Sequence, residues 1–244
     1  MSSFKAKRVA VVGGGSGIGR VVAESALKQG ADVIISSRDV AKLESVAENW
    51  TGMTVLPLDM TAAASRAAWA DRLGPIDHLV ISASSAAHGA FSVLQEDPLR
   101  AMFDAKFFGP YMTAKAALPH LRDGGSITFF SGVLSRRPGM NCSGLGAVNG
   151  AVESLTYGLA LELGPRLRVN CVSPGMIRSD AYAAVPKPAR EEMYTATGES
   201  LPLGRVGTVD EAAGAALFLM ANTFTTGHVL NVDGGHMIRQ YATR

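Results

Sequence analysis

The stretch Val11-Val12-Gly13-Gly14-Gly15-Ser16-Gly17-Ile18-Gly19 decides the fold of this chain. An apolar, β-branched run leads into it and a helical pattern follows, so the glycines occupy a strand-to-helix turn. Glycine permits a tight turn and lets backbone N–H groups come close to a pyrophosphate. The helix amino terminus adds unpaired N–H donors and a positive dipole end. A dinucleotide site is therefore predicted at Gly13, Ser16, Gly17, Ile18 and Gly19.

Apolar, β-branched runs alternate with helix-length segments along the whole chain. Strands are predicted at Arg8–Val12, Asp32–Ser36, 53–58, 76–82, 126–131, 168–172 and 228–232, and helices at 17–30, 40–49, 62–73, 99–121, 146–163 and Val209–Ala221. Such an order indicates a parallel sheet covered on both faces. We predict an α/β fold, a single Rossmann-type domain over residues 1–244 with a doubly wound parallel sheet. The irregular stretch 175–207 predicts a substrate-binding lid within it, with a short helix at 189–195.

Composition narrows the classes of partner. The 244 residues are 47% hydrophobic and 18% charged, with a formal net charge of +2, which argues against disorder and against a nucleic-acid footprint. No apolar run reaches the roughly 18–20 residues of a membrane helix. The two cysteines, Cys142 and Cys171, lack metal-ligand spacing, so we expect reduced thiols and no metal site. We expect a cytoplasmic protein that binds a small-molecule substrate, without nucleic acid or membrane.

The end of the second predicted strand bears on the choice of cofactor. An acidic residue there would bond the adenosine ribose hydroxyls and favour NAD. The chain instead has Ser37 and Arg38, and a hydroxyl beside a guanidinium suits a 2′-phosphate. The prediction is NADP, with NAD as the alternative. Asp59 and Met60, after the third strand, are expected at the adenine, although Asp59 could instead be a helix N-cap.

From end to end the chain resembles the short-chain dehydrogenase/reductases. The resemblance is carried by Gly13-x-x-x-Gly17-Ile18-Gly19, Asp77-His78-Leu79-Val80, Arg168-Val169-Asn170, Ser173-Pro174-Gly175 and Val232-Asp233-Gly234-Gly235. It implies a homodimer or homotetramer. It also implies further cofactor contacts at Ala83, Pro174, Gly175, Ile177 and Ser179.

The same resemblance exposes a departure at the catalytic positions. The family's chemistry rests on an asparagine, a serine, a tyrosine acid and a lysine. Here Leu145 stands at the tyrosine position and Asn149 at the lysine position, while Lys106 stands at the asparagine position. The serine position falls on Gly132, with Ser131 just before it. We interpret Lys106 and Asn149 as a reciprocal exchange that keeps an ammonium and an amide, the alternative being unrelated drift with Lys106 in solvent.

Leucine donates no proton, so another group or the substrate itself must compensate. His88, Tyr182 and the pair Arg136-Arg137 are expected near the pocket, with Arg136 binding a carboxylate or a developing charge rather than donating a proton. The alternatives without a catalytic role stay open, in which His88 is an ordinary loop histidine and the two arginines lie in a solvated turn.

The predicted function is therefore an atypical NADP(H)-dependent oxidoreductase acting on an activated C=N, C=C or C=O group. An iminium substrate would need no acid at all. The alternatives are a cofactor-binding sensor or partner without turnover, and a non-redox cyclase or isomerase on the same fold. The candidate catalytic residues are Lys106, Asn149, Ser131 and Arg136.

Overall fold

A computed structural model describes residues 4–82 and 86–238 and contains a seven-stranded parallel sheet. Its strands are β1 (Arg8–Val12), β2 (Asp32–Ser36), β3 (Met53–Val55), β4 (Ile76–Ile81), β5 (Leu121–Phe130), β6 (Arg168–Pro174) and β9 (Val229–Val232), and β7 (Ile177–Arg178) pairs separately with β8 (Gly207–Thr208). The helices are α1 (Gly17–Lys28), α2 (Val40–Ala47), α3 (Ala63–Leu73), α4 (Glu96–Phe103), α5 (Gly109–Ala117), α6 (Ser143–Leu163), α7 (Lys187–Glu199) and α8 (Val209–Ala221).

The strand order is β3-β2-β1-β4-β5-β6-β9, and neighbouring strands pair in parallel throughout. The chain therefore winds outward from β1 in one direction and then from β4 in the other, which confirms the predicted doubly wound Rossmann-type fold. In such sheets the ligand crevice lies beyond the carboxyl ends of the strands at the switch point, here between β1 and β4.

Helices cover both faces because successive strand residues alternate between two cores. Along β1, Val9 and Val11 pack with Val22 of α1 and Leu43 of α2, in a core that also includes α8. The intervening residues Ala10 and Val12 pack on the opposite face with helices α3, α5 and α6. None of the helices in the ranges 4–82 and 86–238 is long and apolar enough to cross a membrane.

The predicted helix 99–121 was wrong in its bounds and in its continuity. It starts at Glu96, ends at Ala117 and is interrupted by a π-helical turn over Asp104–Phe108. Within this turn the Gly109 N–H bonds the Asp104 carbonyl, five residues back. Pro110 has no N–H for the carbonyl four residues earlier, which favours such an interruption. Lys106 lies at the centre of the turn.

The stretch 175–207 is more regular than the sequence predicted. Its helix α7 spans thirteen residues instead of the expected seven, and the turn Asp180–Tyr182 precedes it. Arg178 of β7 donates to both carboxylate oxygens of Glu191 at 2.7 and 2.6 Å, and its guanidinium lies 4.4 Å from the Tyr194 ring centre. Tyr182 packs edge-on against Tyr194 with ring centres 5.9 Å apart. These contacts fasten α7 to β7.

Candidate active site

A cleft of about 450 Å³ opens at the carboxyl ends of strands β1, β2 and β3. Ten of the predicted cofactor-binding residues line it, namely Gly13, Ser16, Gly17, Ile18, Gly19, Ser37, Arg38, Asp59, Met60 and Ser179. Lys106, Pro174, Gly175 and Ile177 are described but do not line this cleft, whereas Ala83 lies outside the described residues. Most of the predicted dinucleotide contacts thus share one surface.

The glycine turn has a geometry that only glycine satisfies. Gly13 and Gly17 have φ values of +88° and +52°, in the left-handed region. A Cβ on Gly14 would come within 2.6 Å of Ile35 in β2. A Cβ on Gly19 would collide with the Gly13 carbonyl oxygen and the Ser82 hydroxyl. The backbone can therefore approach a ligand closely at the start of α1, as a pyrophosphate requires.

The end of the cleft beside β2, where the adenosine is predicted to lie, carries two cations. Arg38 follows β2, and Lys42, in the first turn of α2, also lines the cleft. Asp39 caps α2 by accepting from the Lys42 backbone N–H at 3.0 Å, which fixes the helix start beside Ser37. Sequence reasoning missed Lys42, although its place in the first turn after Arg38 was a usable signal.

Asp59 stays ionised at the edge of the cleft. Its Oδ1 accepts from the Thr61 hydroxyl at 2.7 Å and from the Thr61 backbone N–H at 2.9 Å. These bonds lower its pKa against a small opposing effect of burial, and the positive charges of Arg38 and Arg66 act in the same direction. Because α3 begins at Ala63 with Ala62 as its N-cap residue, the N-cap alternative for Asp59 was wrong.

Lys106 points into the protein. Only 6% of its surface is exposed, and its Nζ donates to the Ser131 carbonyl oxygen at 3.3 Å. Burial lowers the pKa of the Lys106 ammonium to about 8, because the charged form loses its hydration. The alternative that Lys106 is turned to solvent is therefore wrong.

Asn149 meets the same segment from α6. It is 2% exposed, and its Oδ1 has no hydrogen-bond partner among the described residues. A Cβ on Gly132 would lie 3.0 Å from its Nδ2, so the amide fills the space in front of Gly132. Lys106 and Asn149 thus approach consecutive residues, Ser131 and Gly132, at the carboxyl end of β5. A buried acceptor without a donor is costly unless a ligand or a water supplies one.

Ser131 and Arg136 are held by a buried carboxylate that the sequence did not reveal. Ser131 Oγ and Ser135 Oγ donate to Glu153 Oε1 at 3.0 and 2.7 Å. Arg136 Nε lies 3.2 Å from Glu153 Oε2, and its Nη2 donates to Asn231 Oδ1 at 2.7 Å. Glu153, four residues after Asn149 on α6, therefore ties β5 to α6. The signal available was one acidic residue in an otherwise apolar turn of helix.

Two of the predicted proton donors, His88 and Tyr182, lie near the start of α6. Leu145, predicted to stand at the position of the family's tyrosine, is half-buried in the first turn of α6. The Nδ1 of His88 is 3.4 Å from the Sγ of Cys142, just ahead of that helix. Tyr182 is half-buried, and burial raises the pKa of its hydroxyl, with Tyr194 and Cys142 contributing in the same direction.

The predicted contacts at the nicotinamide end surround the end of β6. Pro174 is the last residue of β6, and Ile177 is buried in β7. A Cβ on Gly175 would lie 2.9 Å from the Asp233 Cα, so the chain passes that residue closely. Ser179 follows and reaches the cleft.

The doubly wound sheet, the glycine turn and the cationic adenosine end define a dinucleotide-binding protein of the Rossmann class. The family model described as enoyl-(acyl carrier protein) reductase matches residues 12–237. D-erythrulose reductase from Gallus gallus is 31% identical, over 97% of this chain and 98% of that protein.

Two solved structures extend the similarity to three dimensions. A small-chain dehydrogenase in complex with NADPH is 33% identical with a TM-score of 0.84, over 95% of this chain and 99% of that one. A short-chain type dehydrogenase/reductase from Mycobacterium ulcerans is 30% identical with a TM-score of 0.89, over 98% and 92% of the two chains. The chain belongs to the short-chain dehydrogenase/reductase family of NAD(P)-dependent oxidoreductases.

Proposed function

We propose that this protein is an NADP(H)-dependent oxidoreductase that transfers a hydride to an activated C=O, C=N or C=C group. The observation that carries the proposal is the placement of Lys106. Its ammonium is buried beside the Ser131 carbonyl, and the buried Asn149, whose Oδ1 has no partner among the described residues, lies beside the next residue, Gly132. A chain that had lost its function would gain stability by losing a buried charge, because desolvation of an ammonium is expensive. Retention of the charge points to a role for it.

The residues present fit the cofactor. The glycine turn offers backbone N–H groups to the pyrophosphate. Arg38 and Lys42 would hold a 2′-phosphate, since two cations at the end of β2 outweigh any ribose-accepting carboxylate there. Asp59 and Met60 would border the adenine. When bound, NADPH supplies the hydride.

Lys106 and Asn149 would divide the work at the nicotinamide ribose. The Lys106 ammonium has donors beyond its bond to Ser131 and would donate to a ribose hydroxyl. The Asn149 oxygen would accept from a ribose hydroxyl or a water. Ser131 and Arg136, engaged with Glu153, would position β5 against α6 rather than touch the substrate.

Residues 175–207 would form the lid of a single domain, because Ser179, Asp180 and Ala181 overhang the cleft. Pro174, Gly175 and Ile177 would place the chain at the nicotinamide end. A largely apolar groove between α5 and α6 supports a homodimer or homotetramer; its lining includes Tyr111, Ala114, Leu118, Leu159 and Leu163, together with the charged residues Lys115 and Glu162.

The test measures cofactor binding and turnover separately. Fluorescence titration should show NADPH binding at least about tenfold tighter than NADH, and Arg38→Ala and Lys42→Ala should each weaken NADPH by about 10- to 100-fold with little effect on NADH. NADPH oxidation is then followed with 2,3-butanedione, cyclohexenone and N-methyl-3,4-dihydroisoquinolinium. Failure to bind either dinucleotide would refute the proposal.

A cofactor-binding protein without turnover is the second candidate, and the observation that favours it is Leu145, which cannot donate a proton. Tight NADPH binding with no oxidation across the panel would support that candidate. Product formed with the cofactor unchanged would instead indicate a cyclase or isomerase.

A further inference from the structure

Cys142, Leu145 and Asn149 share one face at the start of α6. Leu145 follows Cys142 by three residues and Asn149 follows Leu145 by four, which is the spacing of neighbours along one side of a helix. Cys142 is the N-cap residue of α6, and Asn149 is the buried residue with the unpartnered oxygen. The three residues therefore follow one another along one side of the start of α6, from the half-buried Cys142 to the buried Asn149.

The thiol of Cys142 is paired with a histidine from another element. Its Sγ is 3.4 Å from the Nδ1 of His88, in the segment after β4. The neighbouring backbone holds this pair together, because the Gly89 N–H donates to the Asn141 carbonyl at 2.9 Å. Two chain segments that converge on the substrate side of the sheet thus present a thiol and an imidazole side by side.

The surroundings keep the thiol protonated. Burial raises the pKa of the Cys142 thiol, because a thiolate would lose hydration there. Among the described residues, His88 and Tyr182 are the titratable groups that interact with this thiol, the latter from the turn after β7. A protonated thiol beside an imidazole is suited to give up a proton and regain it, rather than to act as a standing nucleophile.

We propose that Cys142 and His88 form the proton-delivery pair for carbonyl substrates, one helical turn ahead of Leu145. This inference rests on the proposed hydride transfer. As the carbonyl carbon receives the hydride, the S–H bond of Cys142 breaks and an O–H bond forms on the substrate oxygen. The Nδ1–H of His88 gives its proton to the resulting thiolate while the Nε2 of the same ring takes one from solvent. The net reaction consumes one NADPH and one proton for each alcohol formed.

The decisive experiment compares two acceptors on the same variants. Reduction of 2,3-butanedione needs a proton, whereas N-methyl-3,4-dihydroisoquinolinium already carries its positive charge and needs only hydride. Cys142→Ala should lower kcat for the diketone by about 10²- to 10⁴-fold and leave kcat for the iminium within about threefold. His88→Gln should lower only the diketone rate. Ser143→Ala is the control for Cys142→Ala, because it truncates a side chain of similar size at the next position. His120→Gln is the control for His88→Gln, because it makes the same change at a distant histidine.

Several outcomes overturn the inference and leave the proposed function standing. An equal fall for both acceptors in Cys142→Ala would indicate a structural role, and an unchanged diketone rate would exclude the thiol as donor. A selective fall in Tyr182→Phe with Cys142→Ala unaffected would assign the proton to the tyrosine. Turnover of the iminium alone in the native protein would show that no donor exists.

A second readout needs no turnover. The pH dependence of Cys142 alkylation by iodoacetamide, followed by peptide mass spectrometry, gives the pKa of its thiol. Because an imidazole N–H can donate a hydrogen bond to the thiolate, its removal in His88→Ala should raise that pKa. An unchanged pKa would exclude the pairing of Cys142 with His88 whether or not the panel showed oxidation of bound NADPH, so this result is distinguishable from a failure of the proposed function.

Discussion

The carboxyl edge of the sheet has two halves that differ in how much of the family's pattern they keep. At the ends of β1 to β3, the glycine turn and Asp59 keep residue types that the family uses for its cofactor, and Ser37 and Arg38 suit a phosphorylated one. At the ends of β4 to β6, we predict from the resemblance that Lys106, Gly132, Leu145 and Asn149 stand at the four positions that carry the family's chemistry, with a different residue type at each.

The difference follows from how tightly each half constrains its side chains. In the cofactor half, a single Cβ on Gly14 or Gly19 would meet neighbouring atoms, so isolated changes are excluded. In the other half, the predicted changes would accommodate one another. Asn149 occupies space beside Gly132 that a side chain there would approach to 3.0 Å, and the Lys106 ammonium is buried beside the preceding residue, Ser131. Coupled substitutions of this kind alter chemistry without opening a cavity.

The largest expected effect separates stability from function at Lys106. Its pKa in the folded protein is lowered to about 8 from 10.5, so at pH 7 the buried charge costs on the order of 3 kcal/mol. Lys106→Met should therefore raise the free energy of unfolding at pH 7 by up to about 3 kcal/mol while lowering kcat/KM by about 100-fold. Urea denaturation and steady-state kinetics measure the two quantities.

The pH dependence has a definite sign. Between pH 8 and 10.5 the unfolded chain binds more protons at this lysine than the folded chain does, so the native protein should gain stability as pH rises through that window. The variant should lack this gain. A destabilised Lys106→Met protein at pH 7 would mean that the ammonium is paired better than its one long bond to Ser131 indicates.

The next effect tests the cofactor half. In Gly19→Ala the new methyl group would collide with the Gly13 carbonyl and the Ser82 hydroxyl, so the turn must shift and NADPH affinity should fall by about 10- to 100-fold. Gly214→Ala is the matched control, because a Cβ at that exposed position of α8 meets nothing within 4 Å. It should leave affinity unchanged and add roughly 0.5–1 kcal/mol of stability.

A smaller effect tests whether Gly132 and Asn149 changed together. Gly132→Ser alone should lower the free energy of unfolding by about 1–2 kcal/mol, because its Cβ would lie 3.0 Å from the Asn149 amide. In a protein that already carries Asn149→Ala, the same serine substitution should change the free energy of unfolding little. Thermal denaturation of the four proteins completes a double-mutant cycle, and additive effects would show that the two positions are independent.

The sequence was sufficient for the fold because strand and helix periodicities alternate cleanly around a glycine turn. The sequence did not predict the features that depend on contacts between distant parts of the chain. The interruption at Lys106 depends on Gly109 and Pro110, which were visible but went unused. Glu153 looked like one more helical residue, and only the fold brings Ser131, Ser135 and Arg136 onto it. The thiol–imidazole pair joins residues 54 positions apart, which no local pattern predicts.

The smallest expected effect concerns the segment 178–182, which adjoins both halves of the sheet edge. Ser179 and Asp180 line the cofactor cleft, while Tyr182 interacts with the thiol of Cys142 on the catalytic side. Arg178→Lys would lose the paired bonds to Glu191 and the stacking on Tyr194. Because that ion pair is about half exposed, the free energy of unfolding should change by less than about 1 kcal/mol.

A loosened segment should show in the kinetics instead. KM for the carbonyl substrate should rise by about two- to fivefold in Arg178→Lys with kcat nearly unchanged, since the chemistry itself is untouched. Glu191→Gln, which weakens the same ion pair from its other end, should give the same pattern. If both variants matched the native KM, the contacts between β7 and α7 would stabilise the segment without controlling substrate access, and the two halves of the edge would bind their ligands independently.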